Sequence, residues 1–222
     1  MTALPELDGP ALPPASGGKP RQLVILLHGL RSNGNDLIGL APAWAPLFPD
    51  ALFVSPNACE PTPDTPGGYQ WFELNSFSQE ERYEGSRRAA PVLDGFIDQQ
   101  MARHGIPASK VVLVGFSQGT MMALHVAPRR PEPIAGVVAY SGMVTNAKAL
   151  GADLKSRPPV LVVHGDRDPV VPAAQAFGYT VGALEALQFD VEPHIRPGLA
   201  HGIDPGGVQL GGRFMQRVLL GR

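Results

Sequence analysis

The chain has 222 residues, of which 44% are hydrophobic and 17% charged, and its formal net charge is −2 at pH 7. This length and composition predict one globular domain, and the near-neutral charge disfavours nucleic acid as a partner because it offers no basic surface to a polyanion. No apolar run is long enough to cross a membrane, and the N-terminus lacks a signal-peptide pattern. The single cysteine, Cys59, excludes a disulfide within the chain. From these three features we expect a cytoplasmic protein.

Apolar segments alternate with amphipathic ones along most of the chain. Six segments predict strands, at residues 23–27, 52–55, 111–115, 134–140, 160–164 and 189–195. Helices are predicted up to about residue 104, at 173–187 and at about 207–220. Pro91 lies in the first helical pattern and should begin or kink that helix. The alternation predicts an α/β fold with a mostly parallel sheet and helices on both faces.

The N-terminal segment does not fit this alternation. Residues 1–20 hold five prolines and three glycines, and they contain few apolar side chains. We expect them to form an extension that is either disordered or draped over the surface. The folded domain is then formed by residues 21–222.

A second irregular segment is a long, proline-rich loop at 56–84 that carries Trp71 and Phe72. Long loops in compact domains are often functional, so these two aromatic side chains are candidates for the wall of an acyl pocket. The alternative is that they only cap the core. The other candidate substrate-contacting residues of that pocket are Leu30, Met143 and Val170.

The segment around Ser117 carries the strongest chemical signal. Four apolar residues at 111–114 lead into Gly115-Phe116-Ser117-Gln118-Gly119, and residues 120–127 predict a helix. A serine on such a strand-to-helix turn projects its hydroxyl above the sheet rather than into the core. The flanking glycines are needed because a Cβ there would collide with a neighbouring element. Ser117 is therefore a candidate nucleophile, which needs a base and an orienting acid.

An acid and a histidine follow Ser117 in the order that this turn architecture uses. The strand at 160–164 ends in a loop with Asp166 and Asp168, and a glycine-flanked His201 lies on a later loop. We favour Asp168 as the acid, partly because an adjacent proline stiffens its position. Asp166 is the alternative, although an Asx-type turn is its expected role. Among six histidines, His201 has both the right chain order and a loop position.

A serine nucleophile also needs fixed donors for the oxyanion that forms in the reaction. One should be the N–H of Gln118, which follows the nucleophile and begins a helix. The other is expected from the loop after the strand at 23–27, where the sequence reads His28-Gly29-Leu30. The N–H of Leu30 is the candidate for this second donor.

Four segments together resemble the carboxylesterase and acyl-protein thioesterase family of small α/β-hydrolases: Leu27-His28-Gly29-Leu30, Gly115-Phe116-Ser117-Gln118-Gly119, residues 164–172, and Ala200-His201-Gly202. Trp71-Phe72-Glu73 is also similar to a segment beside the acyl site of that family. The resemblance runs from about residue 23 to the C-terminus. The stretch 202–207 is more similar to bacterial carboxylesterases than to eukaryotic protein deacylases.

The resemblance implies a single-domain α/β-hydrolase that cleaves carboxylic esters without a cofactor and that often pairs as a homodimer. Thioesters or lysophospholipids are alternative substrates, whereas a non-catalytic binding module would not need nucleophile, acid, base and donor loop together. The sequence contains no metal-ligand spacing and no phosphate-binding loop. No large insertion follows the strand that ends at Tyr140. We therefore expect no large cap domain and an open cleft that takes small-molecule esters with short to medium acyl chains.

Overall fold

A computed structural model of the protein describes residues 6–221. Its centre is a seven-stranded sheet in the order β1-β3-β2-β6-β7-β8-β9. A small antiparallel hairpin, whose strands β4 and β5 have two residues each, lies in the loop after β3. All neighbours in the large sheet are parallel except β1 and β3. The strands are β1 (Ala11–Leu12), β2 (Gln22–Leu27), β3 (Ala51–Val54), β4 (Glu60–Pro61), β5 (Tyr69–Gln70), β6 (Val111–Phe116), β7 (Gly136–Tyr140), β8 (Val160–Gly165) and β9 (Val191–Arg196).

Helices cover both faces of the sheet, as the alternation predicts. They are α1 (Gly34–Leu37), α2 (Ala41–Trp44), α3 (Gln79–His104), α4 (Gln118–Val126), α5 (Ala147–Ala152), α6 (Ala173–Ala186) and α7 (Pro205–Leu220). Successive side chains of a strand point to opposite faces, so Ile25 packs in a core with α3, α4 and α6, whereas Val24 packs in a second core with α2 and α7. The predicted fold class, a single α/β domain with a mostly parallel sheet, is confirmed.

The register of the parallel strands brings the ends of β2, β6, β7, β8 and β9 to one edge. Leu27 lies opposite Gly115, Tyr140 lies opposite both Phe116 and Val163, and Gly165 lies opposite Arg196. The loops that follow these strands therefore meet at the carboxyl edge of the sheet, where ligands bind in open α/β folds.

The proline-rich N-terminal segment lies along the edge of the sheet. Ala11 and Leu12 pair with β3, and the Pro10 carbonyl accepts a hydrogen bond from the Ser55 N–H at 2.9 Å. Further along, the Ser16 N–H donates to the Pro49 carbonyl at 2.9 Å. Hydrogen bonds thus join the segment from Pro10 to Ser16 to the domain, while residues 1–5 of the expected extension lie outside the described part of the chain.

Two connections differ from the expected outline in ways that shape the site. Helix α3 begins at Gln79 and contains Pro91 in its interior, so the long loop is shorter than predicted and the proline does not begin the helix. Among the described residues, the connection between β7 and β8 contains one helix, α5, which has six residues. Within residues 6–221, no helix combines the length and apolar character needed to cross a bilayer.

Candidate active site

Ser117 lies on a strained turn between a strand and a helix. Strand β6 ends at Phe116 and α4 begins at Gln118, and between them Ser117 has φ 53° and ψ −113°. A non-glycine residue in such a conformation costs about 1–3 kcal/mol and persists only where its surroundings hold it. Here the Ser117 N–H donates to the Tyr140 carbonyl at 3.0 Å, which ties the turn to β7.

The two glycines of the turn let α4 pass close to the sheet. A Cβ on Gly119 would lie 1.9 Å from the Leu27 carbonyl oxygen, and a Cβ on Gly115 would lie 2.5 Å from the Thr120 backbone.

We therefore expect Gly119→Ala to lower the free energy of unfolding by about 2–3 kcal/mol, as measured by urea denaturation. Gly182→Ala is the matched control, since a Cβ on this exposed glycine of α6 meets nothing within 4 Å. It should leave stability unchanged or raise it by up to about 1 kcal/mol, and equal losses in both variants would contradict the prediction.

Asp168 and His201 form a hydrogen-bonded pair at the same edge. Asp168 Oδ2 lies 2.7 Å from His201 Nδ1, while Asp168 Oδ1 accepts from the N–H groups of Val170 (2.9 Å) and Val171 (2.8 Å). Because the carboxylate accepts, His201 Nδ1 carries the proton, which leaves Nε2 of the neutral ring as a base. The buried His164 ring lies behind the carboxylate, with its Nε2 2.7 Å from the Val171 carbonyl oxygen.

Asp166 has a different set of contacts. Its Oδ1 accepts a hydrogen bond from the Gly198 N–H at 2.7 Å, and the Arg167 N–H donates to the Leu199 carbonyl at 3.0 Å. Both bonds fix the loop that carries His201. Asp168 is therefore the carboxylate that accepts the hydrogen bond from the imidazole, and Asp166 shapes the neighbouring loop.

The loop at 197–204 is also closed at its base. The Arg196 guanidinium donates to both carboxylate oxygens of Asp204, with a shortest distance of 2.7 Å. This hydrogen bonding holds the pKa of the Asp204 carboxyl below its ordinary value. On the other side the loop packs on Gly165, where a Cβ would lie 2.2 Å from the Leu199 carbonyl oxygen. Contacts at both sides therefore define the position of His201.

Ser117 and His201 belong to segments that contact each other. The rings of Phe116 and His201 have centroids 4.8 Å apart, and Ser141 Oγ, at the end of β7, donates to the Gly202 carbonyl at 3.3 Å. Within residues 6–221, Ser117 Oγ makes no hydrogen bond of 3.5 Å or less. Catalytic hydrogen bonds are often long in a free enzyme and shorten when substrate binds.

The loop after β2 passes beside the nucleophile. A Cβ on Gly29 would lie 3.3 Å from the Ser117 Cβ, and Leu30 is the next residue of this loop. The Arg31 N–H donates to the Tyr69 carbonyl at 2.9 Å, which fixes the loop. The N–H groups of Leu30 and Gln118 have no acceptor among the described residues, so both remain available to a ligand.

Trp71 and Phe72 are buried in the hydrophobic core, where they also line a separate cavity of about 250 Å³ beside α3. Their exposed fractions are 0% and 1%. The Gln118 side chain links them to the turn, because its Oε1 accepts from the Trp71 N–H at 2.8 Å and its Nε2 donates to the Phe72 carbonyl at 2.7 Å. Trp71 Nε1 also donates to the His28 carbonyl at 3.0 Å. These contacts hold both aromatic residues against the core, and their contact with substrate stays a prediction.

A cleft of about 360 Å³ opens between the start of α3 and α6. Of the five candidate substrate-contacting residues, Met143 and Val170 line this cleft, whereas Leu30, Trp71 and Phe72 do not. The other residues of its lining were not predicted from the sequence; they are Phe77, Gln79, Arg82, Met121, Val171, Pro172, Gln175, Ala176 and Tyr179.

Comparison with known proteins agrees with this architecture. Residues 14–219 match the phospholipase/carboxylesterase family. Esterase YpfH of Escherichia coli (strain K12) is 32% identical over 192 residues, which cover 85% of this chain and 79% of that protein. Acyl-protein thioesterase 1 of Schizosaccharomyces pombe is 28% identical over 204 residues, covering 88% of this chain and 90% of that protein. The crystal structure of esterase PE8 has a TM-score of 0.92 at 40% identity and covers 96% of this chain and 100% of its own. The chain therefore belongs to the phospholipase/carboxylesterase family and is an esterase with the α/β-hydrolase fold.

Proposed function

We propose that the protein hydrolyses carboxylic esters through an acyl-enzyme on Ser117, with His201 as the general base and Asp168 as the acid that orients it. The observation that carries this proposal is the 2.7 Å hydrogen bond between Asp168 and His201 Nδ1, at the sheet edge where the strained Ser117 turn lies. This bond selects the tautomer whose Nε2 can accept a proton from a serine hydroxyl.

In the proposed reaction, Ser117 Oγ attacks the ester carbonyl carbon as its proton passes to His201 Nε2. The negative charge that develops on the carbonyl oxygen is met by the N–H groups of Leu30 and Gln118, and one such donor is typically worth about 3–4 kcal/mol. His201 then protonates the leaving alkoxide as the carbon–oxygen bond breaks. Water repeats the sequence on the acyl-enzyme, giving the carboxylic acid and restoring Ser117.

The substrate class follows from the cleft beside these residues. Its volume of about 360 Å³ suits a short or medium acyl chain, and the six-residue α5 after β7 is too small to form a cap domain. Met143 and Val170 offer apolar contacts to such a chain. We infer a preference for small-molecule esters over long-chain triglycerides.

An acyl thioester or a lysophospholipid is the second candidate substrate class. The thioester is favoured by the relatives named acyl-protein thioesterase 1 in Schizosaccharomyces pombe and Debaryomyces hansenii, because the same proton transfers would serve a thiolate leaving group. The lysophospholipid is favoured by the match to the phospholipase/carboxylesterase family. Rates on oxygen esters and thioesters with matched acyl chains distinguish the two. A higher kcat/KM for the thioester at every chain length would reject the first candidate.

Covalent labelling tests the assignment of the nucleophile directly. A fluorophosphonate should add one phosphonyl group to the wild-type protein, detected as a mass gain in the intact protein, because an activated serine displaces the fluoride. Ser117→Ala should show no gain. An unlabelled wild-type protein would instead favour a binding module on a hydrolase fold.

Two further expectations belong to the same proposal. The family resemblance favours a homodimer, which the mass in solution would test by light scattering. A cytoplasmic location is proposed from the composition and the single cysteine, and fractionation of cells that express the protein would test it.

A further inference from the structure

The cleft beside Ser117 combines apolar surface with one cationic side chain. Met121 and Met143 contribute to its apolar lining, and the start of α3 contributes Arg82. None of the residues that line it is an aspartate or glutamate. A ligand that consists only of a hydrocarbon chain would leave the positive charge of Arg82 without a negative partner. The lining therefore does not match a purely aliphatic ligand.

Arg82 has no carboxylate partner of its own. No ion pair of 4.0 Å or less joins it to an acid within residues 6–221, and its neighbour Glu81 is engaged by the N–H groups of Asn75 (2.6 Å) and Ser76 (2.8 Å). One guanidinium nitrogen donates to the Phe77 carbonyl, but the buried Nε has no partner. Burial lowers the pKa of Arg82, although the charge of the nearby Glu81 opposes this shift, and a partly desolvated cation without a paired anion is unfavourable.

Tyr179 supplies a second unused donor on the opposite wall. Its hydroxyl oxygen accepts from Gln79 Nε2 at 3.2 Å and from the Ala147 N–H at 2.9 Å. Because both of these bonds are accepted, the hydroxyl proton remains free to bond to another acceptor. Arg82 and Tyr179 therefore both line the cleft with N–H or O–H groups that an anion could accept.

Two residues of the cleft lining are hydrogen-bonded to the proposed reacting residues. Met121, in its lining, donates its N–H to the Ser117 carbonyl at 3.2 Å, one helical turn from the nucleophile. Val171, also in its lining, donates to Asp168 at 2.8 Å. An acyl chain attached to Ser117 could therefore extend along the cleft toward Arg82 and Tyr179.

From these contacts we infer that the ester substrates carry an anionic group, a carboxylate or a phosphate, on the acyl chain, and that Arg82 and Tyr179 hold this group. The inference rests on the proposed function, since it requires an acyl chain delivered to Ser117. In this role Arg82 is a specificity-determining residue and takes no part in the proton transfers.

The test compares two p-nitrophenyl esters of the same acyl length: the half-ester of glutarate, with a free carboxylate, and its neutral methyl diester. Arg82→Gln should lower kcat/KM for the half-ester about 10- to 100-fold, while kcat/KM for the neutral ester stays within about threefold. Arg82→Lys should retain most of the preference, because it keeps the charge. The control is Arg88→Gln, an exposed arginine of the same helix outside the cleft lining, which should behave like the wild type.

An unchanged ratio of the two rates in Arg82→Gln, with the neutral ester still hydrolysed, would overturn the inference and leave the proposed function intact. Equal losses on both esters would also overturn it, because they would show that Arg82 only supports the local structure around Phe77. A wild type that hydrolyses neither ester would reject both proposals. An ester with a phosphonate-terminated acyl chain identifies the anion: a larger loss in Arg82→Gln on this ester than on the half-ester would support phosphate.

Discussion

Replacing Ser117 with alanine should lower kcat for a chromogenic acetate ester by about 10⁵- to 10⁶-fold. The variant loses the oxygen that attacks the ester in the proposed mechanism, while the donors and the Asp168–His201 pair stay in place. It should remain folded, because the side chain of Ser117 makes no hydrogen bond of 3.5 Å or less to residues 6–221. Initial rates at saturating ester, with the urea midpoint as a check on folding, measure both effects.

Ser141→Ala is a closely matched control for that loss. Ser141 follows the neighbouring strand β7 and also has a positive φ, 47°, and its Oγ donates to the Gly202 carbonyl at 3.3 Å. Removing this bond should loosen the His201 loop slightly and keep kcat within about tenfold of the wild type. If the kcat of Ser117→Ala were as high as that of Ser141→Ala, another group would have to be the nucleophile.

Asp168→Asn should lower kcat by about 10⁴-fold, and the contacts of Asp168 explain why. The Val170 and Val171 N–H groups both point at Oδ1, so the asparagine must place its carbonyl oxygen there. Its NH₂ group then faces His201 Nδ1, which has to accept instead of donate. The ring proton moves to Nε2, and that nitrogen can no longer take the proton of Ser117. Steady-state kinetics near neutral pH measure the loss.

Asp166→Asn makes the same chemical change two residues earlier. Asp166 accepts one bond from the Gly198 N–H at 2.7 Å, and an asparagine carbonyl oxygen can accept it equally well. We expect kcat to change by no more than about threefold. A larger loss in Asp166→Asn than in Asp168→Asn would reverse the assignment of the acid.

The sequence predicted the parts of the fold that are set by local patterns. Buried parallel strands appear as continuous runs of β-branched and apolar residues, so the strand that leads to Ser117 was located to within one residue of its end at Phe116. The Ser117 turn was predictable because a Cβ at either flanking glycine would clash with neighbouring backbone. The order of Ser117, Asp168 and His201 along the chain then restricted the search for partners to the loops that the sheet brings to one edge.

Features that depend on contacts between distant segments were not predictable in the same way. Ala11 and Leu12 form a strand because the edge of β3 offers partners about forty residues away, and two residues carry no periodicity. The burial of Trp71 depends on the Gln118 side chain, which no local pattern encodes.

The early start of α3 did leave a signal in the sequence. Ser78 and Glu81 have the spacing of a capping box, and the Ser78 hydroxyl does accept from the Glu81 N–H at 3.2 Å. Following that signal would have placed Arg82 on a helix. Its position in the cleft still depends on how α3 packs against α6, so the sequence alone could not bring Arg82 to the substrate.

Strand β9 ends the sheet on the side opposite to β1, and it contains Pro193. The Asp190 and Arg196 carbonyls accept hydrogen bonds from the Val160 and Asp166 N–H groups of the neighbouring segment. Even-numbered residues of β9 therefore direct their N–H and C=O groups toward β8, and odd-numbered residues direct theirs away from the sheet. Proline at such a position removes an N–H that an added strand would need. The exposed rim of the sheet is thereby protected against pairing with the same rim of another copy. Two molecules that meet at β9 should therefore associate through side-chain packing and not by merging their sheets there.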